Sequence, residues 1–364
     1  MRAAHAFILL NATLASAAAG GLASYLKNGL ASWDLEGYAL DNPIGPTTGG
    51  KGGKKVTVST AEEFLAAVTG SEPRIIYVKG HLALPERASI GSNKSILGVG
   101  KSALITGNGF TVNNVDNIII RNLKISRIYD NDAIGLRNTT RVWIDHNEFE
   151  SDFGVEVGPD TYDGQIDIVR ASDWVTVSWN YLHDHWKSSL VGNDAAFRDI
   201  DFGHLHITYH HNYWKNEGTR GPAGRFGHQH IYNNLYEDFH YQALHSRSDN
   251  QMLVEGNVFR GDTREALSTH GLVIPEDSPN TCVCGDEELD GYANLGASKL
   301  PASPIAHLCQ VQDAEVRITE NDWGPATINI TQVGDFTKAD YKYKLTPLWL
   351  VQPIVKLGAG IGRV

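Results

Sequence analysis

Positive charge is scarce in this chain: 31 lysines and arginines face 42 acidic residues, a formal net charge of −11. Phosphate backbones repel a surface of that sign, so electrostatics argue against a nucleic-acid partner. Cysteine is scarce as well. Cys282, Cys284 and Cys309 are an odd set that forms at most one bridge, and because C-x-C neighbours pair poorly it joins Cys309 to Cys282 or Cys284. No partner cluster stands near them at the spacing of a zinc site. Long apolar runs are missing after the first twenty residues, so no later segment is expected to span a membrane. In MRAAHAFILLNATLASAAAG one early charge, Arg2, precedes a short apolar run, and Ala15-Ser16-Ala17 and Ala17-Ala18-Ala19 fit small-x-small cleavage. The run falls short of the ~20 residues that an anchor needs. Residues 1–19 are therefore expected to be a signal peptide, and 20–364 one secreted, extracellular domain.

Helical periodicity is nearly absent. Its clear instance is Thr60-Ala61-Glu62-Glu63, a capping box leading into Phe64, Leu65, Ala67 and Val68, which predicts a short helix near residues 60–69. What the chain does hold is 37 glycines, 14 tyrosines and 8 tryptophans within 41% hydrophobic residues, the makings of a large β core with many tight turns. Short β-rich runs recur at 75–78, 118–120, 142–144, 175–178, 206–209, 230–232 and 252–254. An asparagine follows each of the last six: Asn122, Asn147, Asn180, Asn212, Asn234 and Asn257, at intervals of 25, 33, 32, 22 and 23. One strand per unit of roughly 20–30 residues predicts a solenoid. The longer intervals predict loops inserted on the same side of the coil. Stacked asparagines suit such a coil, because Asn tolerates the left-handed conformation and its amide can bond to the rungs on either side. No Pro- or Ser-rich linker divides the chain. The expected fold is all-β: a single parallel β-helix capped by the early helix and by irregular C-terminal material. Residues 272–304, rich in Pro, Asp and Glu, predict a long surface loop.

Two patterns are decoys. Gly45-Pro46-Thr47-Thr48-Gly49-Gly50-Lys51 opens like a phosphate-binding loop, but Gly52 follows where Ser or Thr is needed and no strand leads in. The pairs His183/His185, His204/His206 and His228/His230 sit at strand period and read as surface or hydrogen-bonded core residues rather than metal ligands. Sequons stand at Asn93, Asn138 and Asn329, and Asn93 lies in a strand-like phrase that disfavours glycosylation.

Four phrases carry chemistry. YDNDAIGL sets Asp130 and Asp132 just before a rung, YDGQIDIV holds Asp163 and Asp167, HDHWKSSLVGN offers Lys187, and RGPAGRFG offers Arg220 and Arg225. On a straight strand Asp163 and Asp167 lie ~13 Å apart. One ion joins them only if the chain bends, as Gly164 permits; otherwise each serves a different ion. With Asp132 they form a hard, all-oxygen set suited to calcium, which takes 6–8 oxygens in irregular geometry. Spacing alone does not separate that set from three solvated aspartates.

These phrases resemble the pectate lyase family, extracellular parallel β-helix polysaccharide lyases. The match runs through TTGGKGG, SNKSILGVG, NIIIRNLKI, VWIDHNEF, YDGQIDI, VTVSWNYLHDHWK, RGPAGRFG and LVEGNVF, over most of residues 44–260. The resemblance implies a right-handed helix, a monomer, and calcium-dependent β-elimination of polygalacturonate to 4,5-unsaturated oligogalacturonates. It implies Ca²⁺ on Asp132, Asp163 and Asp167 with Asp130 sometimes contributing, Lys187 and Arg225 on substrate carboxylates, and Arg220 as the base. β-Elimination removes the C5 proton beside the uronate carboxylate, and fixed cations stabilise the charge that develops there. The three aspartates with Lys187, Arg220 and Arg225 sum to zero, and one Ca²⁺ makes the site +2, or +1 with Asp130 counted. An acidic protein can thereby hold an acidic polymer. Arginine ordinarily keeps its proton above pH ~12, so its use as a base calls for crowding by other cations and an alkaline optimum. Two departures stand out: Trp186 precedes Lys187 where a polar residue is common, and VGNDAA lacks a frequent serine. Three other readings compete. A pectin lyase acts on methyl-esterified polymer without calcium and typically carries arginine in place of these acids. A galacturonan hydrolase has NTD and GHG phrases, absent here. A non-catalytic wall-binding β-helix needs no base.

Overall fold

The computed structural model describes residues 32–154, 156–270, 290–295 and 321–364. The expected signal peptide and all three cysteines lie outside them. The chain winds through three parallel sheets of ten, eight and nine strands, visiting each once per turn. One turn runs from Thr140–Asp145 in the first sheet through Glu148–Glu150 in the second to Ile166–Val169 in the third, and the next begins at Asp173–Ser178. The β-rich runs legible in the sequence all belong to the first sheet. This is a parallel β-helix, as expected.

Strand alternation turns every second side chain inward, and the parallel register stacks like on like. In the first sheet Ile96, Ile120, Ile144, Val177, Tyr209, Ile231 and Val254 form one inward column, each fully buried. In the second sheet Trp214 stacks on Tyr236 at 5.9 Å, Tyr236 on Phe259 at 4.6 Å, and Phe259 on Trp323 at 5.2 Å. Such stacks add about 0.5–1.5 kcal/mol each beyond area burial.

The asparagine ladder marks the corner between first and second sheets. Asn147, Asn180, Asn212, Asn234 and Asn257 each donate N–H and Nδ2 to Oδ1 of the next asparagine at 2.9–3.1 Å, the series ending on Asn321. Asn122 is not a member. Leu123 holds the ladder position below Asn147, whose Oδ1 accepts from the Leu123 N–H at 3.0 Å, while Asn122 takes the preceding place at φ 61°. The left-handed residues of the ladder are likewise those before the asparagines, His146, Trp179, His211, Asn233 and Gly256.

The insertions also depart from expectation. Residues 151–165 enter between the second and third sheets, whereas residues 192–205 leave the third for the first, so the two flank the third sheet from opposite edges. The expected helix is Ala61–Val68 (α1), with its capping box formed and Phe64, Ala67 and Val68 buried. Phe64 packs on Phe110 at 5.5 Å. Within 272–304, expected as loop, Tyr292–Asn294 forms the last strand of the first sheet. The C-terminal material is not irregular throughout: Leu348–Gly358 (α2) lays Leu350 and Ile354 on Trp179, and Val351 and Val355 on Leu235 and Val258. Prolines at 347 and 353 had hidden that pattern. The phosphate-loop decoy is spent internally, since Thr48 and Gly49 donate their N–H groups to Asn117 Oδ1 at 2.7 and 2.8 Å. Among the described residues no helix is long and apolar enough to cross a membrane.

Candidate active site

Each turn carries the chain from the second sheet to the third around one corner, and the charged phrases converge there. Asp132 precedes the third-sheet strand Ile134–Arg137, and Asp163 precedes Ile166–Val169, which contains Asp167. Lys187 ends Tyr181–Lys187, Arg220 follows Tyr213–Thr219, and Arg225 ends Ala223–Arg225. Four consecutive rungs thus supply the cluster.

At Gly164 the carboxylates that approach one another are those of Asp132 and Asp167. A Cβ there would lie 2.2 Å from Asp167 Oδ1 and 3.1 Å from Asp132 Oδ1, so both carboxylates crowd one point that only glycine leaves open. Asp132 Oδ1 accepts the Gly164 N–H at 3.1 Å, and Asp167 Oδ1 accepts the Leu190 N–H at 3.1 Å. Burial, then the charge of Asp163, pushes Asp132 up to about 6. Burial, then Asp132, pushes Asp167 well above the usual carboxylate range, with Arg220 opposing. Asp163 is half exposed, and Asp130 stands exposed on the turn before the cluster at φ 55°.

Arg220 is partly buried and left-handed at φ 68°. Burial lowers the proton affinity of its guanidinium; Asp167 and Asp163 raise it, Arg225 lowers it and Asp132 raises it. Arg225 is 4% exposed and donates Nη1 to Gly192 O at 3.1 Å. Lys187 donates Nζ to Asp160 Oδ1 at 2.8 Å and lies 3.6 Å from Asp163 Oδ1. Trp186 packs on Phe153 at 4.5 Å and donates its indole N–H to Val157 O, so this departure from the family pattern holds the 151–165 insertion.

The sequence reading missed Asp160 and Arg87. Arg87 enters the same corner two rungs before Asp132, donating Nη1 to Asp132 O at 2.8 Å and Nη2 to Phe110 O at 2.7 Å. Its signal was position: Arg87 directly precedes a third-sheet strand, Ala88–Ser89, much as Asp132 precedes Ile134. With Arg87 and Asp160 added, the formal charge of the cluster still sums to zero. Elsewhere, on the second sheet, Glu148, Glu150 and His183 have the spacing of a metal site. Lys124 Nζ already bridges the two glutamates at 2.7 and 2.8 Å, so an ammonium is the cation there.

Comparison with known proteins bears on the chemistry. A family model described as pectate lyase matches residues 10–271. The chain is 48% identical over 258 residues to pectate lyase A of Emericella nidulans, covering 70% of this chain and 77% of that protein. It is 41% identical over 298 residues to pectate lyase A of Aspergillus niger, covering 78% and 91%. Its structure is similar to that of a Bacillus sp. N165 pectate lyase in complex with trigalacturonate, at TM-score 0.70 and 27% identity, over 90% of this chain and 99% of that one.

Proposed function

This chain belongs to the pectate lyase family, and from that premise we propose that it cleaves polygalacturonate by calcium-dependent β-elimination at the corner of its second and third sheets. As a member it is a polysaccharide lyase, and secretion through residues 1–19 fits a polymer that lies outside the cell. The observation that carries the reading is the approach of Asp132 and Asp167 across Gly164, with Arg220 within their field. Two crowded, largely desolvated carboxylates repel unless a cation separates them, and the donors are all hard oxygens. That chemistry fits calcium on Asp132, Asp163 and Asp167, with Asp130 at the rim. Bound calcium would add fixed positive charge beside the substrate carboxylate and so acidify the C5 proton.

The side chains of the protein do the rest. Lys187 and Arg225 hold uronate carboxylates, and Lys187 exchanges Asp160 for the substrate. Arg220 takes the C5 proton; the C–H electron pair forms the C4=C5 double bond as the C4–O4 bond breaks, and solvent protonates the leaving oxygen. Neutralising Asp167, Asp163 and Asp132 removes the charges that help Arg220 keep its own proton, which suits the base role. The test is the ultraviolet absorbance of unsaturated product from polygalacturonate, with calcium and then with chelator. Activity is expected with calcium and lost with chelator. One observation favours a second reading: Arg87 stands beside Asp132 as a built-in cation. Full activity on highly esterified pectin in excess chelator would turn the assignment to that calcium-free, pectin lyase chemistry.

A further inference from the structure

His185 lies beneath the cluster, two residues before Lys187, and is 2% exposed. Its Nε2 is 2.6 Å from Asp163 O, and its Nδ1 meets Ser151 Oγ. A carbonyl oxygen only accepts, so Nε2 carries the proton, and the bare Nδ1 accepts from the Ser151 hydroxyl. The next atoms along the chain are held from the other side, where the Gly164 N–H donates to Asp132 Oδ1 at 3.1 Å. One peptide unit, Asp163–Gly164, is therefore gripped at its carbonyl by His185 and at its N–H by Asp132. Further on, Gly164 O accepts from the Ala133 N–H at 2.9 Å. The insertion that carries Asp163 belongs to no strand until Ile166. Without the imidazole, the Asp163 carbonyl would lose its buried donor and the peptide its orientation.

We propose that His185, seated on Ser151, is a positioning residue that sets the Asp163–Gly164 peptide and so fixes how Asp163 faces Asp132 and the cation between them. The part concerning the cation rests on the calcium reading above; the part concerning the peptide does not. The hydrogen bonds of His185 run to the Ser151 hydroxyl and to the backbone carbonyl of Asp163, so it acts on Asp163 through the backbone.

Two readouts on the purified full chain separate these parts: hydrogen exchange at the Gly164 amide without metal, and calcium affinity by calorimetry. His185→Phe keeps the ring and removes both hydrogen bonds. It is expected to speed Gly164 exchange by about tenfold or more and to weaken calcium by a similar factor, the scale of one lost buried hydrogen bond. At saturating calcium its kcat should stay within about threefold of the parent, because the reacting groups are intact. His185→Gln restores an N–H donor and should recover most of the loss, and Ser151→Ala, which keeps the imidazole, should show a smaller shift of the same sign. Unchanged Gly164 exchange in His185→Phe overturns the proposal, as does equal impairment by Phe and Gln, which would leave His185 a space-filler. If His185→Phe does not fold, Ser151→Ala decides, and no shift in Gly164 exchange there counts against it. A parent protein that binds no calcium defeats the calcium reading instead, while the exchange comparison still tells whether His185 sets the peptide.

Discussion

A methyl group on Gly164 would fall 2.2 Å from Asp167 Oδ1, so this residue separates folding from function cleanly. Gly164→Ala must push the carboxylates apart, and misplacement by about 1 Å can cost on the order of 10²-fold in activity. The loss should appear as a raised calcium requirement in the product-absorbance assay, with the thermal midpoint nearly unchanged; an unaltered calcium titration would count against the shared cation. Arg220→Lys keeps the charge but loses the planar fork. It is expected to lower kcat by about 10²-fold or more, with a much smaller change in substrate affinity. Comparable turnover in that variant would assign the proton transfer elsewhere. Glu217, fully buried beside Ser188, tests a different property. Burial raises its carboxyl well above the ordinary value, with the Ser188 hydroxyl opposing. The unfolded chain ionises this acid above pH ~4.5 while the folded one keeps the proton, so its contribution falls as pH rises, by about 1.4 kcal/mol per unit until the folded group titrates. Glu217→Gln should therefore gain thermal stability relative to the parent at pH 8 and lose that advantage below pH 4.5.

At the scale of elements the ladder is the feature to break. Asn212 Oδ1 accepts from Asn180 N and Nδ2, and Asn212 donates to Asn234 Oδ1 and to Val177 O. Leucine there strands buried partners on both sides, at about 1–3 kcal/mol for each unsatisfied group. Denaturation of Asn212→Leu beside a substitution of the exposed Asn138 measures the difference, and equal midpoints would remove the ladder from the stability of the coil. Much of this was legible because first-sheet strands and their asparagines recur in one phrase. Asn122 misled because RNL follows the strand as HNE does, one residue out of step, and only the pairing of Arg121 with Asp145 reveals the slip. The third sheet was invisible for a plainer reason: strands such as Ala88–Ser89 and Leu190–Val191 are two residues long and show no period. That sheet carries the site. Its aspartates could be named from a family phrase, but Arg87 reaches Asp132 across 45 residues of chain, a proximity the winding of the coil creates and no local spacing encodes.

At the scale of the whole molecule, residues 36–39 and 336–346 strap the outer face of the first sheet, and they rest on histidines. The Tyr38 N–H donates to Thr208 Oγ1, and the Tyr341 hydroxyl lies 2.7 Å from the same Oγ1 and 2.6 Å from His230 Nδ1. His211 Nε2 meets Thr346 Oγ1 at 2.9 Å, and its ring stacks on Trp179 at 4.4 Å. Burial holds His211 down to about 3, with His146 acting the same way; burial also lowers His210 and His230, the latter against its Glu255 partner. Each such histidine is neutral in the fold but takes a proton on unfolding below pH ~6.5. Its contribution is whole above that value and is lost as pH falls toward the folded one, at about 1.4 kcal/mol per unit for each group. His210, His211 and His230 lie under the strap on the first sheet, whereas His185 and His245, also lowered by burial, lie in the second and third sheets, away from the apolar first-sheet column of Ile144 and Val177. The strap should therefore release before the coil in acid, seen as amide exchange over residues 336–347 rising near pH 5 while Ile144 and Val177 stay protected. His211→Phe keeps the stack on Trp179 and removes one titrating group, so its strap should release at a lower pH than the parent's. If strap and coil amides exchange together at every pH, the histidines serve the fold as a whole and the strap has no separate acid response.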